Sequence, residues 1–305
     1  MHGIGKLNLY YFRGQKPNFG DELNAWLWPK ILDGVWNDLD NSIFLGIGSI
    51  IYDSFPIEKK KIVFGAGYGG YTPLPVIDHN WKFYFVRGKL TAKALGIDES
   101  LGIGDAAILL RSCVKRQVKK RYKVSFMPHW ESTLFGNWEL ACQKASINYI
   151  NPCADVEAVL EDILASELVI TEAMHGAIVS DALRVPWIPV QPLNGKHSMK
   201  WYDWASALDI NLNPISLTSS SLRELTVNFF DQRNPHVADQ IRRRGNFLSN
   251  VAPYYLAERA SLKLINISKT KSYLSTDAAI ARSHAQMLSK LDELVQDLGF
   301  GKIIL

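Results

Sequence analysis

The stretch Glu172-Ala-Met-His-Gly-Ala-Ile-Val-Ser-Asp-Ala-Leu-Arg-Val-Pro186 lies between an apolar run and a helical pattern. The run Leu168-Val-Ile170 predicts a buried strand, and apolar residues then recur at helical spacing from Ala177 to Leu183. His175 is therefore expected beside a helix N-terminus, at the carboxyl end of a strand. Ligands of open α/β sheets bind at that edge, and a helix N-terminus favours an anion. A phosphate or a carboxylate is the expected ligand.

Strands and helices alternate around this stretch. The pattern predicts, in order, strand 146–150, helix 156–165, strand 167–171, helix 177–183 and strand 187–190. Asp155 is expected to cap the first of these helices, whose apolar stripe belongs to the core. Alternation of this kind indicates a parallel sheet with right-handed crossovers, as in a Rossmann-like domain.

The first half of the chain shows a second series of strands that end in glycine. Strands are predicted over 7–12, at the start of 43–50 and of 61–70, and over 82–86. Gly65, Gly67 and Gly70 match the spacing of a dinucleotide-binding loop, but the prolines that follow prevent a prompt helix, which disfavours a dinucleotide site. These glycines instead suit either a close approach of ligand to backbone or a plain turn.

Two charged residues of this half are candidates for a site. Asp21 follows Gly20 at the start of a predicted helix, where local spacing favours a structural N-cap role. Arg87 follows a predicted strand, where a guanidinium can bind a carboxylate or phosphate with two parallel hydrogen bonds. A solvated surface arginine is the alternative interpretation.

Length and composition restrict the classes of protein that fit. At 305 residues, two domains are expected, and a net charge of +4 is far below that of a nucleic-acid-binding protein. The sequence shows neither a signal peptide nor an apolar run long enough for a membrane span, which predicts a cytoplasmic protein. The three cysteines lack metal-binding or disulfide-framework spacing.

A basic run, 115–123, predicts an interdomain linker. The predicted domains are accordingly 1–114 and 121–220, both Rossmann-like, followed by a helical extension over 221–305 that packs back on the core. The extension carries basic residues, which allow a peripheral contact with an anionic membrane surface.

A second set of residues is predicted to bind a sugar. His129 follows a predicted strand, and a structural histidine is the alternative there. The segment 196–204 is predicted to be a loop whose rings and charges suit a sugar, although aromatic anchors for domain packing explain it equally well. Its candidate contacts are Lys196, Lys200, Trp201 and Trp204.

Taken together, the motifs resemble the polysaccharide pyruvyl transferase family, and most closely the ketal pyruvate transferases of the succinoglycan type. The resemblance covers about residues 7 to 205. The motifs that carry it are Asn18-Phe-Gly-Asp21, Gly46-Ile-Gly-Ser49, Phe64-Gly-Ala-Gly67, Val86-Arg87, Gly104-Asp-Ala106 and Met174-His-Gly-Ala177 with Pro186. The resemblance implies a GT-B-like α/β fold, in which two Rossmann-like domains face each other across a cleft and helices follow at the C-terminus.

The resemblance also implies an activity and a site. It implies phosphoenolpyruvate as donor, a lipid-linked oligosaccharide or polysaccharide as acceptor, a cyclic pyruvate ketal as product, and neither cofactor nor metal. It places the family's histidine and arginine on His175 and Arg87 as catalytic residues. The donor-binding positions that follow are Gly20, Asp21, Gly48, Gly67, Met174 and Gly176. Many members carry Arg-Leu immediately before the histidine, whereas this sequence has Ala173-Met174. Lys196 or Lys200 is a candidate for the missing charge.

Two other functions fit the same pattern. A GT-B glycosyltransferase that uses a nucleotide sugar has the same two-domain layout. A glycan-binding protein without catalysis would need only the segment 196–204. The three functions differ in what is released. A pyruvyl transferase releases phosphate, a glycosyltransferase releases nucleotide, and a glycan-binding protein binds sugar without consuming a donor.

Overall fold

The computed structural model describes residues 6–14, 16–37, 41–115, 117–191, 198–231, 233, 235–243 and 253–299. They form a mixed α/β structure with two parallel four-stranded sheets, which confirms the α/β part of the predicted fold class. The chain divides into unit 1, made of Met1–Arg116, Lys196–Leu212 and Ser275–Leu305, and unit 2, made of Gln117–Gly195 and Asn213–Leu274. The chain thus crosses between the units more than once, whereas the predicted domains are continuous in sequence.

The sheet of unit 1 has the strand order β1-β2-β3-β4. Its strands are β1 (Asn8–Tyr10), β2 (Ser42–Leu45), β3 (Lys60–Phe64) and β4 (Trp81–Phe85), and all neighbours are parallel. An isolated parallel bridge between Leu7 and Trp36 lies on the other side of β1 from β2. The chain therefore changes direction across the sheet at β1, which is the position where open α/β sheets form a ligand crevice.

Five helices of unit 1 are described. They are α1 (Phe19–Ile31), α2 (Lys89–Leu95), α3 (Leu110–Cys113), α8 (Ser198–Ala207) and α12 (Asp277–Leu298). The long α12 is capped at both ends, since Thr276 Oγ1 accepts a hydrogen bond from the Ala279 amide at 3.1 Å and Gly299 adopts a left-handed conformation. Segment 198–207 is a helix, whereas the sequence predicts a loop.

The sheet of unit 2 has the strand order β6-β5-β7-β8, and all of its neighbours are parallel. Its strands are β5 (Ser125–Met127), β6 (Asn148–Tyr149), β7 (Val169–Thr171) and β8 (Trp187–Pro189). Because β6 and β7 lie on opposite sides of β5, the connections after β5 and β7 leave in opposite directions. The carboxyl ends of β5 and β7 therefore border a crevice of the type that binds ligands.

Along the chain, the helices of unit 2 alternate with its strands and then continue after β8. They are α4 (Ser132–Phe135), α5 (Trp138–Ala145), α6 (Val156–Leu164), α7 (Met174–Ala182), α9 (Leu222–Asp231), α10 (Pro235–Arg243) and α11 (Pro253–Ile267). In α6 the predicted stripe is confirmed, since Val156, Val159, Leu160 and Ile163 are buried. The Asp155 carboxylate caps this helix by accepting from the Glu157 amide at 2.9 Å. Helix α7 begins at Met174, three residues before the predicted start.

Candidate functional site

His175 occupies the second position of α7, next to the carboxyl end of β7. Every other residue from 169 to 182 is buried, whereas His175 is partly exposed. A buried strand and a buried helix thus place one partly exposed, titratable residue at the crevice edge, although Nε2 of its ring is itself buried. Met174 and Gly176 flank it, and both are buried.

Close packing of α7 on the sheet fixes the backbone of this histidine. A Cβ atom on Gly176 would lie 2.3 Å from Thr171 Oγ1 and 2.9 Å from Met127 Sδ, so only glycine allows this approach. The Thr171 hydroxyl donates to the Ala173 carbonyl at 2.7 Å. The first turn of α7 is therefore anchored to the ends of β5 and β7 on either side of the crevice.

A buried carboxylate, Glu172, connects the two loops that border the crevice. It accepts hydrogen bonds from the His129 backbone amide at 2.8 Å and from Ser132 Oγ at 2.9 Å. Its own amide donates to the Met127 carbonyl at 2.9 Å. The structure therefore brings the loop that carries His129 to the strand end that precedes His175, and both predicted histidines lie at the crevice of unit 2. His129 is only 8% exposed.

A second buried carboxylate, Glu224 at the start of α9, holds the far end of the same loop. It accepts from Trp138 Nε1 at 2.7 Å and from the Ser220 amide at 2.6 Å, and Ser220 Oγ in turn accepts from the Asn137 amide at 2.8 Å. Burial raises the pKa of Glu224 to about 8, and the charge of Glu172 adds to this increase. The segment from His129 to Trp138 is thus held at both ends by buried carboxyl groups.

Replacing Glu224 by Gln is expected to reduce the loss of stability that accompanies rising pH. Since the pKa is raised from 4.5 to about 8 on folding, folding takes up a proton between these values. The protonated carboxyl therefore stabilises the fold fully below pH 4.5, and this contribution is lost as the pH rises to about 8. The wild type should lose up to about 1.4 kcal/mol per pH unit more than Glu224→Gln.

Urea unfolding of both proteins at pH 5.5 and 7.5 measures this difference. Groups other than Glu224 titrate in both proteins and cancel in the comparison. Equal pH slopes for the two proteins would show that Glu224 is ionised in the folded state.

Four predicted donor-binding residues lie at the carboxyl edge of the unit 1 sheet. Gly20 and Asp21 belong to the first turn of α1, Gly48 follows β2 with a φ of +120°, and Gly67 follows β3. A Cβ atom on Gly48 would lie 3.6 Å from Asp21 Oδ1, and the Gly67 amide donates to the Gly48 carbonyl at 2.9 Å. The predicted donor set is thus divided between the two units, with these four in unit 1 and Met174 and Gly176 in unit 2.

Asn24 explains why α1 and the loop after β2 lie so close together. Its side-chain amide donates to the Ile47 carbonyl at 2.9 Å, and its Oδ1 accepts from the Ile47 amide at 2.8 Å. A buried side chain thus pairs with a loop backbone as a neighbouring strand would. This pairing fixes the position of Gly48.

Arg87, the arginine predicted to bind the donor, lies in the interior of unit 1. Its side chain has no exposed surface, and Nε donates to Asp203 Oδ2 at 2.9 Å. Nη1 and Nη2 donate to Ser49 Oγ at 2.6 Å and to the Tyr68 carbonyl at 2.7 Å. A Cβ atom on Gly67 would lie 2.3 Å from Arg87 Cζ. The Arg87 side chain therefore packs directly against the backbone of Gly67.

The predicted sugar-binding segment is likewise different in the structure. Trp201 and Trp204 are 1% and 0% exposed and lie on the buried side of α8, so neither ring can stack on a sugar. The helical period explains this, since residues three apart share one face. Lys200 lies in α8 and is partly exposed, and Lys196 lies outside the described residues.

Asp203 is the residue of this region whose role the sequence does not reveal. It is fully buried and binds both Arg87 and Thr91. The signal available in the sequence was an acidic residue flanked by two tryptophans. Such surroundings indicate burial, and a buried charge requires a partner.

The described parts of the chain contain neither a cluster suited to a metal ion nor a membrane-spanning helix. No group of three or more His, Cys, Asp or Glu side chains there is arranged to hold a metal ion. None of the helices built from those residues combines the length and the apolar composition that a bilayer span requires.

Sequence comparison gives two matches that agree with each other. The profile of the family described as polysaccharide pyruvyl transferase matches residues 6–193. The "Succinoglycan biosynthesis protein ExoV" of Rhizobium meliloti (strain 1021) is 34% identical over 312 residues, which cover 94% of this chain and 98% of that protein. The profile match spans both sheets and ends after β8, so it includes Asp21, Gly48, His129 and His175.

Proposed function

The chain belongs to the polysaccharide pyruvyl transferase family and is a pyruvyltransferase of exopolysaccharide synthesis; on that premise we propose that phosphoenolpyruvate is its donor. The acceptor is two hydroxyls of one sugar in an exopolysaccharide repeat unit, and the product is a cyclic pyruvate ketal. The observation that carries the proposal is the position of His175, which is the one accessible residue between 169 and 182.

His175 has the chemistry that this reaction requires. Phosphoenolpyruvate is protonated at its methylene carbon, which gives an oxocarbenium-like centre at C2. One sugar hydroxyl attacks C2 and loses its proton, the C2–O bond to phosphate breaks, and the second hydroxyl closes the ketal. An imidazole can both donate and accept protons near neutral pH, which suits these proton transfers.

The donor carries negative charge, and the N-terminus of α7, with its partial positive charge, is its proposed binding position. Met174 and Gly176 belong to this first turn, where the Gly176 amide donates to the Ala173 carbonyl at 3.0 Å. Gly20, Asp21, Gly48 and Gly67 remain the proposed donor-binding positions in unit 1 on the strength of the family resemblance. We assign Arg87 to support of this edge, because its guanidinium is committed to Asp203, Ser49 and Tyr68.

The remaining parts of the proposal concern the acceptor and the setting. His129 and Lys200, together with Lys196, are proposed to contact the acceptor, which is a lipid-linked oligosaccharide or polysaccharide. A GT-B-like arrangement, with the crevices of the two units facing one cleft, would bring donor and acceptor together. A cytoplasmic location with peripheral contact to the inner membrane surface would give access to a lipid-linked substrate.

A direct assay tests this function. The protein is incubated with phosphoenolpyruvate and lipid-linked oligosaccharide extracted from the host strain, and phosphate and glycan masses are measured. We expect phosphate release that depends on the glycan, together with a pyruvyl mass increment on it. A reaction with nucleotide sugars that releases nucleotide, and none with phosphoenolpyruvate, would refute the proposal.

A further inference from the structure

Unit 2 contains a cavity of about 380 Å³ beside α5. Residues from the connection after β5, from α5 and from the last position of β6 line it, so it lies where these two parallel strands end. Its volume falls within the range of about 300–1,000 Å³ that is usual for small-molecule sites. The Thr133 amide of its wall donates to the His129 carbonyl at 3.3 Å, which places the cavity one turn from the predicted acceptor contact.

The lining identifies the kind of ligand. It presents a hydroxyl, two amides, a carboxylate and two aromatic rings, which belong to Thr133, Asn137, Gln143, Glu139, Trp138 and Tyr149. Among the described residues that line the cavity, none is cationic, and a carboxylate is present. Such a lining repels phosphoenolpyruvate and suits a neutral molecule with many hydroxyls and some apolar faces.

Several lining groups are available to a ligand. Asn137, Glu139 and Gln143 use no side-chain hydrogen bond within the part of the chain that the structure describes, and all three are accessible. Burial raises the pKa of the Tyr149 phenol, so its O–H remains a donor. The Trp138 indole is fixed by its bond to Glu224 at 2.7 Å, which makes it a rigid wall.

We propose that this α5 cavity binds a neutral sugar residue of the acceptor glycan, adjacent to the sugar that receives the pyruvyl group. This inference rests on the proposed function for the identity of the glycan. It gives the acceptor a site in unit 2 that replaces the buried Trp201 and Trp204. Sugar hydroxyls would bond to Asn137, Gln143 and Glu139, and a ring face would pack on Tyr149.

The test uses a double variant, Asn137→Ala with Gln143→Ala, which removes two polar groups and leaves the Asn137 backbone bond to Ser220 intact. The probe is oligosaccharide cut from the host strain's own exopolysaccharide and freed of ketals by mild acid. Its dissociation constant is measured by saturation-transfer NMR, and the KM values for probe and for phosphoenolpyruvate are measured where turnover occurs. We expect both the dissociation constant and the KM for the probe to rise about tenfold, with the KM for phosphoenolpyruvate unchanged.

Lys144→Ala is the matched control, because Lys144 is a polar neighbour on α5 outside the lining that pairs with Glu258 at 3.6 Å. It should bind the probe as the wild type does. The wild type could bind the probe without consuming phosphoenolpyruvate, while the double variant fails to bind. That result would support the α5 cavity as a glycan site and refute the proposed reaction. Equal probe binding by wild type and double variant, or no binding by either, would overturn the α5 cavity as a glycan site.

Discussion

Replacing His175 by Ala is expected to lower kcat for pyruvyl transfer by at least about a hundredfold, because general acid–base catalysis commonly contributes factors of about 10² to 10⁴. The substitution removes the imidazole of the one partly exposed residue between 169 and 182 and leaves Met174 and Gly176 in place. The thermal unfolding midpoint should therefore stay close to that of the wild type. Steady-state rates of phosphate release, measured with saturating donor and acceptor, check the prediction.

Two further variants separate a role in proton transfer from a role in structure. His79→Ala removes an exposed histidine of unit 1 and should leave kcat unchanged. His175→Gln keeps a polar side chain of similar length without a titratable group, so it should remain as slow as the alanine variant. Wild-type kcat in either His175 variant would exclude this histidine as the acid or base.

The elements that sequence predicts well are those whose pattern is local. The α6 stripe and its Asp155 cap follow from residues within a few positions of each other. The same holds for the strand that leads to His175, since three consecutive apolar residues precede a helical pattern. Local spacing is enough in these cases because the interactions that form each element are themselves local.

The elements that sequence predicts poorly depend on distant partners. Arg87 looks like a ligand contact at a strand end, and only the structure shows that Asp203 neutralises it from 116 positions away. Trp201 and Trp204 look like a sugar-binding lip, but their three-residue spacing is equally that of one helix face. The predicted start of α7 is three residues too late because His175 and Gly176 interrupt the apolar pattern, although Gly176 packs tightly on the sheet.

Asp203→Ala is expected to be the most destabilising single substitution considered, at about 3–5 kcal/mol, because it leaves the Arg87 guanidinium buried without its carboxylate. Both side chains have no exposed surface, and Nε and Oδ2 are 2.9 Å apart. Asp203 also accepts from the Thr91 amide at 2.8 Å and from Thr91 Oγ1 at 2.6 Å. The loss is a large part of the 5–15 kcal/mol that typically stabilises a folded protein.

The bond to Thr91 gives Asp203 a second structural role, as the cap of α2. The residue before α2 is Gly88, which has no side chain to cap the helix. A Cβ atom there would lie 1.9 Å from the Asp203 carbonyl oxygen, so no other residue fits. Helix α8 therefore supplies the cap from a distant part of the sequence, and Ser206 Oγ accepts from the Lys89 amide at 3.1 Å in the same way.

Urea unfolding measures the effect, with Asp209→Asn as the matched control, because Asn tolerates the left-handed backbone of Asp209, whose φ is +55°. Asp209 pairs with Arg282 at 3.1 Å, but the two side chains are 66% and 54% exposed, so this loss should stay below about 1 kcal/mol. Combining Asp203→Leu with Arg87→Met removes both buried charges, and we expect the double variant to be more stable than Asp203→Ala. The stability that the double variant still lacks would measure the cost of leaving the Thr91 donors unsatisfied. If Asp203→Ala were as stable as Asp209→Asn, Arg87 would have to reach solvent, where it could contact the donor directly.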